Sequence, residues 1–250
     1  MSKSKTSGGL LRAVGRLTLS LGLIVVAGLA LYWWAVFPDV SGLATTNPSS
    51  TALMEARMTE AQERGRSLKP AWTWVPLSHI SPHLQRAVIV AEDASFYDHE
   101  GFDWTGIREA ALRNLKVGAL RRGGSTITQQ LAKNLYLSSD KTLLRKAHEA
   151  LITRSLEQRL GKQRILELYL NVVEWGRGVY GAEAAAQHHF GKSALELTKE
   201  EAALLAAMLP SPRSYDPLRI TRYLSVRQQQ ILRWMAKSDA AKPVNGKSRH

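Results

Sequence analysis

Residues 92–101, Glu-Asp-Ala-Ser-Phe-Tyr-Asp-His-Glu-Gly, set four carboxylates, an imidazole and two aromatic rings directly after the apolar run 87–91. Glu92 closes that run, so its carboxylate is partly desolvated and stands beside Asp93 and Asp98. Burial and like charge both raise a carboxyl pKa and suit it to proton transfer. A general acid or a general base is the chemistry this group can do, and the stretch alone does not choose between them. The plainer alternative is an acidic helix end followed by a solvated turn closed by Gly101, since ion-pair networks build similar clusters.

A second stretch, residues 121–130, reads Arg-Arg-Gly-Gly-Ser-Thr-Ile-Thr-Gln-Gln. The glycines free the backbone for close approach, and Thr126 with Gln129 forms a T-x-x-Q capping box opening a helix toward Leu131 and Leu135. Exposed amides at that helix start, flanked by Arg121, Arg122 and Lys133, make an anion site. It is not a P-loop, because the Gly-Lys-Ser/Thr ending is missing. Farther on, Arg145 and Glu149 lie four apart with Lys146 beside them, a spacing that an ordinary surface ion pair also has. His188 and His189 are adjacent, so on a helix they diverge; with no Cys or acidic residue at ligand spacing they argue against zinc.

The elements that must position these groups are mainly helices. Leu84, Ala87, Val88 and Ala91 share one face of a helix that delivers Glu92. Over 104–120, Trp104, Ile107, Ala111, Leu112 and Leu115 alternate by turns with Arg108, Arg113 and Lys116; a core helix and a helix lying in lipid head groups both fit. The spacing predicts helices over 54–66, 142–160, 162–175, 182–190 and 202–209, and a last one capped by Asp216-Pro217 and running to 235. Trp72, Trp74, Val75 and Leu77, punctuated by prolines, read as an irregular lead-in with room for short strands only.

The formal charge is +13, with 34 Lys+Arg against 21 Asp+Glu, which points to an anionic partner. There is no cysteine, which excludes disulfides and thiolate metal sites. Residues 17–37 carry no charge and end near Tyr32, Trp33 and Trp34, the length of a bilayer-spanning helix with an interfacial aromatic belt. Lys3, Lys5, Arg12 and Arg16 precede it, placing the N-terminus in the cytoplasm. A cleaved signal peptide fits less well, because bulky Trp33, Trp34 and Phe37 stand where cleavage needs small residues. Outside the cytoplasm a basic domain meets lipid head groups or a pyrophosphate rather than nucleic acid. The expected layout is a cytoplasmic N-terminus (1–16), an anchor (17–37), a linker and lead-in (38–70), a catalytic domain (71–237) and a polar tail (238–250).

In order and spacing, EDASFYDHEG, RRGGSTITQQLAKNLYL, RKAHEA, KQRILELYLN and GAEAAAQHHFGK resemble the five motifs of the peptidoglycan glycosyltransferases, glycosyltransferase family fifty-one. The likeness runs over residues 74–215, with His189 where the family pattern has tyrosine. With no room for a transpeptidase after these motifs, the monofunctional form is expected rather than a bifunctional penicillin-binding protein. The resemblance implies a mainly α, lysozyme-like domain on a single N-terminal transmembrane helix in the bacterial cytoplasmic (inner) membrane, polymerising lipid II outside the cytoplasm. It implies that Glu92 is the catalytic base, with Glu149 the second catalytic glutamate, near the donor. Lys133 and Arg145 hold the donor pyrophosphate, with Lys146 beside them. Ser125, Thr126, Gln129 and Gln130 line the cleft, and Asp93, Phe96 and His99 fill the first motif as substrate-binding residues. Lys162, Glu167, Tyr169 and Asn171 mainly build the fold. No organic cofactor is implied; a divalent cation, Mg2+ or Mn2+, stays open, with Asp93 as its one candidate ligand. Partners are lipid II, the lipid-linked glycan, membrane lipids and other cell-wall synthesis and division proteins.

Two rivals stay open: a membrane-anchored lytic muramidase, which has no need of a pyrophosphate site, and a non-catalytic cell-wall scaffold. A nucleic-acid binder fails on topology. A reporter fused after Gly42 is expected to read out on the periplasmic side; a cytoplasmic signal reverses the orientation and returns nucleic acid to consideration.

Overall fold

The computed structural model describes the backbone of residues 6–117, 124–137 and 142–241, and side chains within these except at 6–13, 29–30, 32–36, 110–111, 113–117 and 241. Arg121, Arg122 and Gly123, part of the expected anion site, lie outside the described residues, as do Lys3, Lys5 and the tail beyond 241. So do the side chains of Arg12, Tyr32, Trp33, Trp34, Ala111, Arg113, Leu115 and Lys116. The chain divides into two units, Met1–Asp39 and Val40–His250.

The first unit is helix α1 (Thr6–Val36). Leu17, Leu19, Leu21, Leu23 and Ile24 are 62–72% exposed along it. The Thr18 hydroxyl folds back onto the carbonyls of Val14 and Gly15, which satisfies its polar atom within the helix. Among the described residues no helix is long and apolar enough to cross a membrane; the 17–37 stretch runs on through side chains outside that set.

The second unit is mainly helical. In order it contains α2 (Ala52–Glu63), β1 (Ala71–Trp72), α3 (Pro82–Glu92), α4 (Trp104–Val117), α5 (Ile127–Tyr136), α6 (Leu143–Arg159) and α7 (Lys162–Val172). There follow β2 (Glu174–Gly176), β3 (Val179–Tyr180), α8 (Ala182–Phe190), α9 (Lys199–Met208) and α10 (Arg222–Ala241). α9 is the centre of one half: Ala202 to Met208 are all buried, and the small alanines let α3 and α10 approach closely on either side. In the other half α5 packs on α6, α7 and α2. The short strands form one sheet in the order β1-β3-β2, with Ala71 and Trp72 parallel to Val179 and Tyr180 and β2 antiparallel to β3.

Three boundaries differ from expectation. The segment expected as a linker and lead-in is docked: Val40, Leu43 and Met54 are buried, and Arg164 holds it by the carbonyls of Leu43 and Thr46 and by Asn47 Oδ1. The helix expected over 162–175 stops at Val172, and Glu174–Gly176 turns into a strand. Asp216 accepts from the Leu218 amide in a turn, and α10 starts later, where the Thr221 hydroxyl accepts from the Leu224 amide.

The fourth motif ties the lead-in to α7. Asn171 is fully buried; its amide donates to the carbonyls of Val75 and Glu167 and accepts from the Val75 N–H, while Trp72 Nε1 donates to the Asn171 carbonyl. Gly181 follows at φ +79, where a Cβ would come 2.7 Å from that same carbonyl oxygen. Asn171→Ala strands the Val75 amide and carbonyl in a part-buried site, and a thermal or urea melt is expected to show a loss of about 1–3 kcal/mol; an unchanged melt contradicts this clamp.

Candidate active site

Glu92 is the last residue of α3. Ser81 caps that helix, accepting from the His83 amide and donating to the Leu197 carbonyl, Pro82 sets its first turn, and Leu84, Ala87 and Val88 bury its inner face. The next residue, Asp93, leaves the helix in an extended conformation and is 6% exposed. Its Oδ2 accepts the N–H of Ile127, the first residue of α5, at 3.0 Å, and its Oδ1 lies 2.9 Å from His99 Nε2. His99 Nδ1 accepts the Gly101 amide at 3.1 Å, so the ring proton sits on Nε2 and points at Asp93. The Thr126 hydroxyl donates to the Gly101 carbonyl at 2.7 Å and accepts from the Gln129 amide, while Gln129 Oε1 accepts from the Thr126 amide. Gly101, at φ +89, lets this loop close on α6: a Cβ there would lie 2.8 Å from Thr153 Cγ2.

The capping box is therefore present as expected, but the anion site it was expected to frame is not open. Asp93 itself occupies the start of α5, and Thr126 takes the Gln129 amide, so the protein supplies its own anion to the helix dipole. Two more expectations change with it. Phe96 is fully buried, with Lys162 Nζ 4.6 Å over its ring, and Gln129, 4% exposed, serves the cap; both lie in the packing behind the cleft rather than on its wall. Both Asp93 oxygens are engaged, one by His99 and one by the Ile127 amide. Among the described residues no group of three or more His, Asp or Glu side chains could hold a metal ion.

Gln130 is the residue that touches the carboxylate. Its Nε2 donates to Glu92 Oε2 at 2.8 Å, and its Oε1 accepts the Tyr169 hydroxyl at 3.0 Å. Tyr169 is fully buried, and burial together with the charges of Glu92 and Asp93 pushes its hydroxyl pKa well up, so it stays a donor and fixes which way the amide points. Burial raises the Glu92 pKa; the Gln130 bond and the cations Arg227 and Lys133 oppose that rise, and Asp93 adds to it. Burial also raises Asp93, against its bonds to His99 and Ile127.

Two clefts meet at this relay. One, of about 570 Å³, is lined by Glu92, Asp93, Ser125 and Thr126 with apolar walls from Ile107 and Trp234. The other, of about 630 Å³, is lined by Gln130, Lys133 and Arg145 with Arg57, Arg177 and Arg213. Lys133 follows Gln130 by three positions on α5, hence on the same helix face. Glu149 is 3% exposed on α6, with Arg145 Nη1 2.8 Å from Oε2 and Lys146 Nζ on Oε1; Lys146 also lies 3.5 Å from Ser125 Oγ. This is a three-membered cluster on a buried carboxylate rather than a surface pair: Arg145 is half-buried, Lys146 is exposed, and Glu149 holds both cations in place. His189 is 8% exposed and meets the Trp175 carbonyl at 3.0 Å, a core contact.

A mainly helical domain with one half-buried carboxylate at the edge of a cationic cleft suits proton transfer on an anionic substrate. Residues 59–236 match the Transglycosylase family model, and the chain belongs to that family. A protein of Nitrosospira multiformis called biosynthetic peptidoglycan transglycosylase is 50% identical over 86% of this chain and 93% of its own. Proteins with the same description from Janthinobacterium sp. (47% identical; 85% of this chain, 91% of its own) and Bordetella avium (44%; 96% and 99%) are also similar.

Tyr169 is the functional neighbour that sequence reading assigned to the fold alone; nothing local tells a buried helix tyrosine from one whose hydroxyl orients an amide. Tyr169→Phe leaves Gln130 without its orienting donor. Initial rates of glycosyl transfer are expected to fall about fivefold, for roughly 1 kcal/mol of lost hydrogen bond; a wild-type rate removes Tyr169 from the relay.

Proposed function

We propose that this enzyme polymerises lipid II into β-1,4 glycan strands with release of undecaprenyl pyrophosphate, acting from the outer face of the bacterial cytoplasmic membrane. The observation that carries this reading is the junction of Glu92 with the cationic cleft through Gln130. The 4-hydroxyl of an incoming lipid II attacks the anomeric carbon of the lipid-linked strand. Glu92 takes its proton on Oε1, the oxygen left by the Gln130 bond to Oε2. The carbon–oxygen bond to the pyrophosphate breaks as the new glycosidic bond forms, with inversion from the α-linked donor, so a single base suffices. Lys133 and Arg145 meet the charge that develops on the leaving group. Glu149 keeps Arg145 and Lys146 aimed at the cleft, and Ser125 and Thr126 line the other cleft beside Glu92.

The lysozyme-like form of the domain and the anchor over 17–37 belong to the same reading. The exposed leucines of α1 support that anchor, because soluble proteins rarely leave such a surface uncovered. Trp104 and Leu112 on α4, 72% and 50% exposed, favour the interfacial form of that helix, which would bring lipid-borne substrate to the cleft. Other cell-wall synthesis and division proteins are the partners this placement implies.

Purified full-length protein given labelled lipid II is expected to make SDS-resistant glycan; Glu92→Gln abolishes it, and Lys133→Ala or Arg145→Ala lowers the initial rate about 100- to 1000-fold, as for removal of one charge-stabilising donor. Products limited to shortened sacculi identify a lytic enzyme instead. Because burial raises the Glu92 pKa and the base must be ionised, activity is lost as pH falls through a value above the ordinary glutamate, about 4.3. An acid limb at or below that value contradicts the assignment.

A further inference from the structure

α10 packs against α3. Arg227, half-buried on α10, lies with its guanidinium 5.1 Å from the centre of the Trp234 ring. Its Nη1 donates to Gln230 Oε1 at 3.1 Å and its Nη2 to the Ala91 carbonyl at 3.2 Å. That carbonyl belongs to the last turn of α3, where the helix has no amide of its own to offer and where a cation suits the negative end of the dipole. The residue after it is Glu92. The remaining guanidinium nitrogen, Nε, is buried and unpartnered. A buried, unmet donor on a cation needs compensation, and the charge of Arg227 acts on the Glu92 carboxylate.

We propose that Arg227 is a positioning residue for Glu92: it pins the last turn of α3 through Ala91 and holds a fixed positive charge beside the carboxylate. The proposal rests on Glu92 being the base. Among the described residues the charged and titratable groups that act on Glu92 are Asp93 next to it, Lys133 on α5, Tyr169 on α7 and Arg227 on α10, and Asp103 and Lys237 line the same cleft. Tyr169 faces it as a neutral hydroxyl, and Asp93 opposes ionisation. Of the two cations that favour the ionised form Arg227 acts more strongly. It also lines neither cleft, whereas Lys133 lies in the one that receives the leaving group. When a pyrophosphate draws on Lys133, the charge of Arg227 stays with the carboxylate. Trp234 joins the two roles, since one residue both seats Arg227 and walls the cleft that holds Glu92.

The test uses the full chain in detergent micelles. The titration midpoint of Glu92 is followed by carbon-13 NMR of labelled glutamate carboxylates, its signal identified by loss in Glu92→Gln, alongside the pH–rate profile on lipid II. In Arg227→Met both the midpoint and the acid limb are expected to rise by about 0.5 to 1 pH unit, with most of the rate recovered at higher pH. Arg227→Lys keeps the charge, so its midpoint stays put while the maximal rate falls by roughly threefold through loss of the forked contact. Arg227→Gln, which keeps a donor for Ala91 without the charge, serves if the methionine variant does not fold. An unmoved midpoint in a folded, active Arg227→Met chain, its rate lowered evenly at every pH, overturns the proposal. A midpoint that moves in a chain that makes no glycan upholds the charge at Glu92 and sinks the polymerase reading instead.

Discussion

The carboxylate of Asp93, set against the first amide of α5, is the interaction on which the site depends. It joins the end of the helix that carries Glu92 to the start of the helix that carries Gln130 and Lys133. Without it the base and the residues that serve it would sit on two elements free to drift apart. A charge-assisted bond to a helix N-terminus is stronger than a neutral one and directional, and burial of the pair limits competition from water. His99 and Thr126 brace the same joint from the loop between, one through the Gly101 amide and the other through its carbonyl. The acidic cluster that first marks this region in the sequence is thus divided by labour. One carboxylate builds the joint, and its neighbour lines the cleft.

That division explains the electrostatics of Glu92. A carboxylate that has lost much of its water to burial also resists ionisation. The structure offsets this with groups of graded kind: a neutral amide held in one orientation, a cation behind the helix end, and a cation in the substrate cleft. None neutralises the carboxylate by direct ion pairing, which would stabilise the anion so far that it lost its appetite for a proton. The contrast with Glu149 is instructive. There two cations sit directly on the two oxygens, and the carboxylate serves as a mount for Arg145 and Lys146.

Much of this was legible from sequence because it is local. The apolar face ending at Glu92, the T-x-x-Q box and the Arg145–Glu149 spacing all follow from helix periodicity and capping chemistry, and the structure has each of them. What escaped was long-range. No local signal shows that Asp93 reaches Ile127, that Tyr169 reaches Gln130, or that Arg227 reaches back to Ala91, because each pairs residues brought together only by packing. The open anion site failed for the same reason: an exposed helix start is a fair reading of the sequence until a distant side chain fills it. The docked lead-in escaped because polar, proline-marked sequence resembles a linker when the arginine that holds it lies beyond residue 160.

The Asp93–Ile127 tie also bears on how this domain tolerates change. It joins positions 34 apart and so closes a loop that includes all of α4. The entropy of closing such a loop grows only with the logarithm of its length, about 0.6 kcal/mol for each doubling. Insertions or deletions beyond Gly101 and before Gly124 would therefore tax the fold lightly, and the base would keep its place. The stretch between Gly101 and Gly124 can thus vary in length without unseating the helix ends that carry Glu92 and Gln130.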